Sequence, residues 1–418
     1  MRIIHTSDWH LGQHFMGKTR QSEHKAFLDW LADEIKSRKA DGLVVAGDIF
    51  DTGTPPSYAR TLYNEFIVSL QAAGGVQTLI LGGNHDAPAT LNEARSILAC
   101  LNTRVVGSLS REPKDHLMVL NDKKGSPGLI VCALPFLRPG DLVKSLGGQS
   151  ARDKQDAMGQ AIQACYARVF EAARAEQKRL GPGPGNAVLP IMATGHLTVV
   201  GGKSSESVRD IYIGSLDAFA AKNFPGVDYL ALGHLHRPQQ IKDQDHIRYS
   251  GSPIPLSFDE ASIPKQVLEV VFDQGRLKQI TPIPLPCFRS LISLKGSLEK
   301  IENEIKALGA GEKQGTLTSW LEVEVSTDIY LTDLQERIQA MIKAGFKDPG
   351  QMELLRVKRK KAGPGSADLP PKGEQLEELT PKEVFARRLA KEELGPDQEI
   401  MLNRLFDEIL DQVKEGVK

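Results

Sequence analysis

Arg2-Ile-Ile-His-Thr-Ser-Asp-Trp-His10 runs an apolar strand straight into an aspartate and a histidine. The same arrangement recurs in Leu43-Val-Val-Ala-Gly-Asp48, Thr78-Leu-Ile-Leu-Gly-Gly-Asn-His-Asp86, Ile191-Met-Ala-Thr-Gly-His196 and Tyr229-Leu-Ala-Leu-Gly-His-Leu-His236. Short apolar runs of this kind are strands buried on both faces, and helical stripes separate them in the first third of the chain. His24, Phe27, Leu28, Leu31 and Ile35 form one stripe; Tyr58, Leu62, Phe66 and Leu70 form another. The alternation predicts a layered α/β fold, with two stacked sheets and helices outside. In such folds the crevice lies beyond the carboxyl ends of the strands, where residues distant in sequence converge.

Other segments are read from their punctuation. A long helix is expected from Ala151 to about Leu180, broken by Gly181-Pro-Gly-Pro-Gly185. One helix is expected over 91–101. From Cys287 a β-α-β-α-β order appears, with Ser297 as one N-cap and Thr332-Asp-Leu-Gln335 as a capping box. The expected division is 1–285 for the layered domain, 286–358 for a small α+β domain, 359–378 for a linker and 379–418 for a helical hairpin. The basic run Lys358-Arg-Lys-Lys361 falls at the start of that linker. Thr380-Pro-Lys-Glu383 opens the hairpin, whose apolar stripes include Val384, Phe385 and Leu389, then Leu405, Phe406 and Ile409. An apolar hairpin on a tether is read as a docking element, the alternative being that it folds back on its own protein.

Bulk properties narrow the classes. The 418 residues carry a formal net charge of -1, with 40% hydrophobic and 25% charged residues. That is an ordinary soluble composition, with no run near the roughly 18 apolar residues of a membrane span. The four cysteines are scattered, which disfavours a thiolate zinc site and fits a reducing compartment. The reading is a cytoplasmic protein without a signal peptide. A nearly neutral chain would meet nucleic acid through local basic groups; Lys18, Arg20, Arg138 and Arg209 are the candidates.

The five strand-end motifs offer Asp8, His10, Asp48, Asn84, His196, His234 and His236 as hard and borderline ligands. Such a set suits two divalent transition metals, with Asp48 as the natural bridge and Asn84 as a neutral oxygen donor. Asp8 and His10, two residues apart, point the same way in extended backbone. His85 points elsewhere and is expected either to donate to a non-bridging phosphate oxygen or to protonate the leaving group, with Asp86 fixing its tautomer.

The ordered set DxH, GD, GNHD, GH and GHxH resembles the calcineurin-like metallophosphoesterase superfamily. The longer stretches His5–Gly12, Ala46–Gly53, Gly82–Asp86 and Tyr249–Phe258 are similar to its SbcD branch of DNA break-repair nucleases. The resemblance implies a two-sheet sandwich with a DNA-positioning cap. It places one metal on Asp8, His10, Asp48 and His236, and the other on Asp48, Asn84, His196 and His234, with His85 and Asp86 catalytic. It further implies manganese (or magnesium) without an organic cofactor. Its partner would be an SbcC-like SMC-type coiled-coil ATPase that binds ATP and is gripped by the 380–413 segment. A homodimer through helices near 58–70 and 91–101 would make a heterotetramer.

The activity expected from the resemblance is double-strand exonuclease and single-strand or hairpin endonuclease action in DNA repair, recombination and replication. The rivals are another metallophosphoesterase, such as a protein phosphatase or a cyclic-nucleotide hydrolase, and a non-catalytic scaffold with a decayed site. A phosphoprotein phosphatase would carry Arg soon after the second motif to grip a phosphate dianion, whereas Asp51 is followed by Thr52; a decayed site would have lost a ligand, and none of the set is missing.

Overall fold

The computed structural model describes residues 1–72, 74–142, 150–208, 218–311, 315–327, 333–360, 401, 402 and 406. Residues 1–361 form one compact unit. Two six-stranded sheets make its body. In the first, Arg2–Thr6, Gly42–Val45, Gln77–Leu81 and Thr103–Val106 run parallel, and Gln266–Asp273 and Arg276–Pro284 add an antiparallel edge. In the second, Pro127–Cys132, Ile191–His196, Tyr229–Gly233 and Gln244–Tyr249 run parallel between antiparallel edges at Leu117–Asn121 and Gln239–Ile241.

Side-chain alternation explains why these strands read as unbroken apolar runs. Ile3, Val44, Leu79 and Leu81 face Val131, Met192, Tyr229 and Ala231 across the sandwich interior. Their neighbours Ile4, Leu43, Val45 and Ile80 face outward, onto the helices Gln21–Ser37 and Ser57–Ala72. On the far side, Ile130, Ala193, Leu230 and Leu232 pack under the helix Ala151–Leu180. Both faces of each central strand are therefore dry, which is the condition for a four-layer α/β/β/α body.

The third sheet is small. Leu291–Gly296, Ser319–Ser326 and Met352–Lys360 lie parallel in that order, crossed by the helices Leu298–Ala310 and Leu334–Gly345. Ile301, Ile305, Val323, Ile338 and Ile342 fill its core. It meets the sandwich at a buried aromatic and ionic joint. Phe15 stacks on Trp320 with centroids 5.6 Å apart, and the Arg289 guanidinium lies 4.1 Å from the Trp320 ring. Glu23 takes Arg289 at 2.9 Å and pairs with Arg20, so one carboxylate links both parts.

Several details depart from the sequence reading. The 91–101 segment forms two short helices, Pro88–Asn92 and Arg95–Ala99; Asn92 turns its side-chain oxygen to the Gly107 N–H (3.3 Å) where they separate. The basic run expected as linker is strand as far as Lys360, because its backbone pairs with Glu324–Ser326. Ser297 caps its helix as expected, accepting from Lys300 N, while Asp333 occupies the next N-cap without a side-chain cap bond. Thr332 lies outside the described residues, as do Arg209, Val384, Phe385, Leu389, Leu405 and Ile409. Phe406 is helical and half-buried. Among the described residues, no helix is long and apolar enough to cross a membrane.

Candidate metal centre

All five motifs sit at the carboxyl ends of parallel strands, and the two sheets bring those ends together. The turns that do this are tight. Gly47 has φ +95, and a Cβ there would collide with the His196 imidazole; a Cβ at Gly83 would collide with the Asp48 carboxylate. Four ligand candidates themselves hold left-handed backbone: Asp8 (φ 55), His10 (φ 47), Asp48 (φ 50) and His234 (φ 95). Asp8 and His10 therefore converge through two left-handed residues rather than through the extended backbone expected. Such conformations are costly for non-glycine residues and persist where surrounding structure over-determines them.

Oxygen and nitrogen atoms of Asp8, His10 and His236 cluster tightly, and so do those of Asp8, Asp48 and His196. Asp48 stands between the two groups. Its Oδ2 lies 3.6 Å from His10 Nε2 and 3.2 Å from His196 Nε2. Asn84 Oδ1 lies 2.8 Å from His196 Nε2, and the His196 and His234 rings are 5.4 Å apart. Close approaches thus join all seven candidates in one cluster.

The donor chemistry tests whether cations fit there. His196 Nδ1 donates to the Ala46 carbonyl at 2.9 Å, which leaves Nε2 as an acceptor. That nitrogen faces two further acceptors, Asn84 Oδ1 and Asp48 Oδ2. With a neutral ring these are three converging acceptors, so either a proton on Nε2 or a metal cation in its place must sit among them. Likewise His10 Nδ1 donates to Asp51 Oδ1 at 3.1 Å, and its Nε2 is buried with no hydrogen-bond partner. His236 Nδ1 bonds Ser207 Oγ at 2.6 Å and Glu260 Oε1 at 3.2 Å. An outer nitrogen held by a carboxylate or carbonyl, with the inner one turned toward the pocket, is how imidazole is presented to a metal.

Electrostatics point the same way. Burial alone would depress the His196 imidazole, yet the Asp48 charge and hydrogen bond raise it to about 9. Burial opposes ionisation of Asp48 too, but His196, His10 and His85 hold it well below the usual carboxylate range. His234 is pushed far down by burial and by repulsion from His196, so it stays neutral. His5 and His24, read as structural, are buried and pushed down to about 3, chiefly by burial. The mixed oxygen and nitrogen set fits manganese, iron or zinc better than calcium.

His85 lies beside this pocket, its ring edge-on to His10 at 4.6 Å. Its backbone N–H donates to Asp48 Oδ1 (2.9 Å), and its Nδ1 donates to the Asp51 carbonyl (2.8 Å). Asp86 does not hold that ring. It is a backbone clamp, accepting from Ile49 N (3.1 Å), Phe50 N (2.9 Å) and Gly83 N (2.8 Å). Burial, with repulsion from Asp48, pushes its carboxyl up to about 6 despite those donors. Asp86→Ala is accordingly expected to strand three buried N–H groups at about 1 kcal/mol or more each. Urea unfolding should show a loss of at least about 3 kcal/mol; a wild-type midpoint would show that the clamp is dispensable.

The expected DNA contacts fare unevenly. Arg20 is fully buried in its pair with Glu23 and bonds Gln13 Oε1 (3.0 Å) and the Pro255 carbonyl, so it cannot meet a phosphate. The sequence reading missed that its neighbours supply an interior acceptor set. Lys18 is half-exposed and paired with Glu353. Arg138 bonds the Asp86 carbonyl at 2.6 Å and lies over Phe136. A 360 Å³ cleft opens over His10, His85 and His236, and Arg356 also lines it.

Sequence reasoning also missed the groups behind the ligands. Asp51 orients both His10 and His85, and its signal was proximity, three residues after Asp48. Ser7 Oγ donates to Asp8 Oδ2 at 2.6 Å and meets Ser250 Oγ at 2.8 Å. His234 N donates to Asp8 Oδ1 at 2.8 Å.

Comparisons with known proteins identify the family. The calcineurin-like phosphoesterase pattern matches residues 1–238, and the pattern described as the type 5 capsule protein repressor C-terminal domain matches residues 287–393. The D subunit of the SbcCD nuclease from Escherichia coli (strain K12) is 46% identical over 406 residues, covering 97% of both chains. Its Rhodobacter capsulatus counterpart is 33% identical, covering 92% of this chain and 94% of its own. The counterpart from Bacillus subtilis is 31% identical, covering 78% and 79%. Motif order, two-sheet architecture and full-length similarity lead to one assignment: the chain belongs to the calcineurin-like phosphoesterases, within the family of SbcCD nuclease D subunits.

Proposed function

We propose that the chain is the two-metal nuclease component of a DNA-processing complex, hydrolysing phosphodiester bonds. The observation that carries this reading is Asp48 Oδ2 standing between His10 Nε2 and His196 Nε2, at 3.6 and 3.2 Å. One metal would be held by Asp8, His10, Asp48 and His236, the other by Asp48, Asn84, His196 and His234, with Mn2+ the favoured ion. When bound, such a pair activates water and neutralises charge on a phosphate. Around it, Asp51 and Glu260 hold the imidazoles in register. His85, with its Nδ1 proton committed to the Asp51 carbonyl, carries a proton on its other nitrogen to the leaving oxygen.

The 286–358 region is the cap over the cleft, and the joint at Trp320 supports a fixed approach for DNA. Arg356, which lines the cleft while paired with Glu322, is a candidate phosphate contact beside Lys18 and Arg138. By relationship to SbcCD, the partner is an SbcC-like coiled-coil ATPase, docked by 379–418 beyond a linker. ATP-dependent exonuclease and hairpin endonuclease action in repair, recombination and replication would occur at the nucleoid in the cytoplasm. A homodimer is supported by exposed Val68 and Ile97 on the helices named for it.

End-labelled duplex and hairpin DNA, digested with Mn2+ and with the ATPase and ATP added or withheld, tests the reading. Cleavage that stops on chelation is expected. Cleavage indifferent to chelation, or hydrolysis of phosphomonoesters alone, would count against it.

A further inference from the structure

Behind His236 lies a buried charge network of which the reaction as described uses only the Glu260 carboxylate. Glu260 is fully buried and Lys265 is 8% exposed. Lys265 Nζ donates to Glu260 Oε2 at 2.7 Å, to Ser252 Oγ at 2.9 Å and to the His236 carbonyl at 3.3 Å. Glu260 Oε1 accepts from Ser205 Oγ at 2.7 Å, from Ser207 Oγ, and from His236 Nδ1 at 3.2 Å. The Leu256 N–H donates to Glu260 Oε2 at 3.1 Å.

Burying two charges is expensive, and the pair adds little net stability over apolar residues of equal volume. The expense has a local product. One carboxylate fixes the imidazole proton of His236 on Nδ1 from the side. The ammonium fixes the backbone of the same residue from below. Ser207 closes the triangle, accepting from His236 and donating to Glu260. The ring is therefore held in both tautomer and orientation, with Nε2 presented toward Asp8 and His10, the other members of its cluster.

We infer that Glu260, itself held by Lys265, is the positioning residue for His236 and sets the cation affinity of the Asp8–His10–His236 half of the centre selectively. The other half is anchored differently, through the Ala46 carbonyl on His196. This inference rests on the two-metal reading above and deepens it.

The test is calorimetric titration of the full chain with Mn2+ alone, without DNA. The double variant Glu260→Gln/Lys265→Met removes both charges, so neither is left buried and unpaired. One of two Mn2+ sites should weaken about 10- to 100-fold, the usual effect of losing an outer partner of a metal-binding histidine. The other should stay unchanged, and raised Mn2+ should restore turnover. Ser207→Ala, which removes only the bridging hydroxyl, should weaken the same site by a smaller factor; it decides the matter if the double variant does not fold. Wild-type affinity at both sites, or equal weakening of both, overturns the inference. Wild-type protein that binds no Mn2+ pair overturns the underlying two-metal reading instead, and is seen before any variant is made.

Discussion

Asp48→Asn is expected to abolish DNA cleavage, with a loss of roughly 10³-fold or more, since outer partners alone are worth about 10- to 100-fold. The reason is electrostatic. Asp48 is the carboxylate between the two histidine clusters, and its Oδ1 also accepts the His85 N–H at 2.9 Å. An amide in its place keeps the shape but withdraws the charge that opposes repulsion between two dications. The amide oxygen can still accept the His85 N–H, so the loss is one of charge and of an oxygen donor. Mn2+ titration should therefore show both sites weakened together, and added metal should recover only part of the rate. A variant that cuts normally would remove Asp48 from the bridging position.

His85→Gln is expected to separate chemistry from metal binding. His85 is not among the seven residues around the pocket, yet its ring lies 4.6 Å from His10. Its backbone link to Asp48 survives the substitution, because that bond comes from the main-chain N–H. Mn2+ stoichiometry and affinity should match wild type. Turnover should fall by about 10²- to 10⁴-fold, the usual contribution of a positioned proton donor. A pre-steady-state measurement at saturating Mn2+ isolates the chemical step. Equal losses in metal affinity and in rate would instead make His85 a ligand.

The contrast between what the sequence disclosed and what it withheld has a physical basis. Strand-end motifs were legible because apolar runs, glycine turns and polar residues are local patterns. Convergence of their carboxyl ends follows from parallel pairing. The long helix was legible at its end because Gly181 is a local signal too, and at its start the structure adds a Ser150 capping box. Partners set by tertiary contact were not. Asp86 reads like a histidine's orienting acid, but the chain folds Ile49, Phe50 and Gly83 onto it. Arg20 reads like a surface cation, yet Glu23, Gln13 and Pro255 enclose it. Glu260 stands 24 residues from His236, just beyond the Tyr249–Phe258 stretch, and nothing local announces the bond. The run at Lys358–Lys360 lacks an apolar stripe because it edges a small sheet, where pairing rather than burial holds the strand.

The centre's left-handed residues belong to the same lesson. Nothing in Asp8-Trp-His10 announces positive φ, yet both polar residues adopt it around a fully buried Trp9. The indole packs edge-on against Phe27 and Phe66, and its Nε1 donates to Thr6 Oγ1 at 3.1 Å. Driving the middle residue into the core turns its two neighbours toward the pocket.

Anomalous diffraction from Mn2+-soaked crystals, collected at the manganese absorption edge, tests the central claim most directly. Two peaks flanking the Asp48 carboxylate, about 3.5–4 Å apart as in two-metal hydrolases, are the predicted result. A single peak, or peaks remote from Asp48, would contradict the two-metal account.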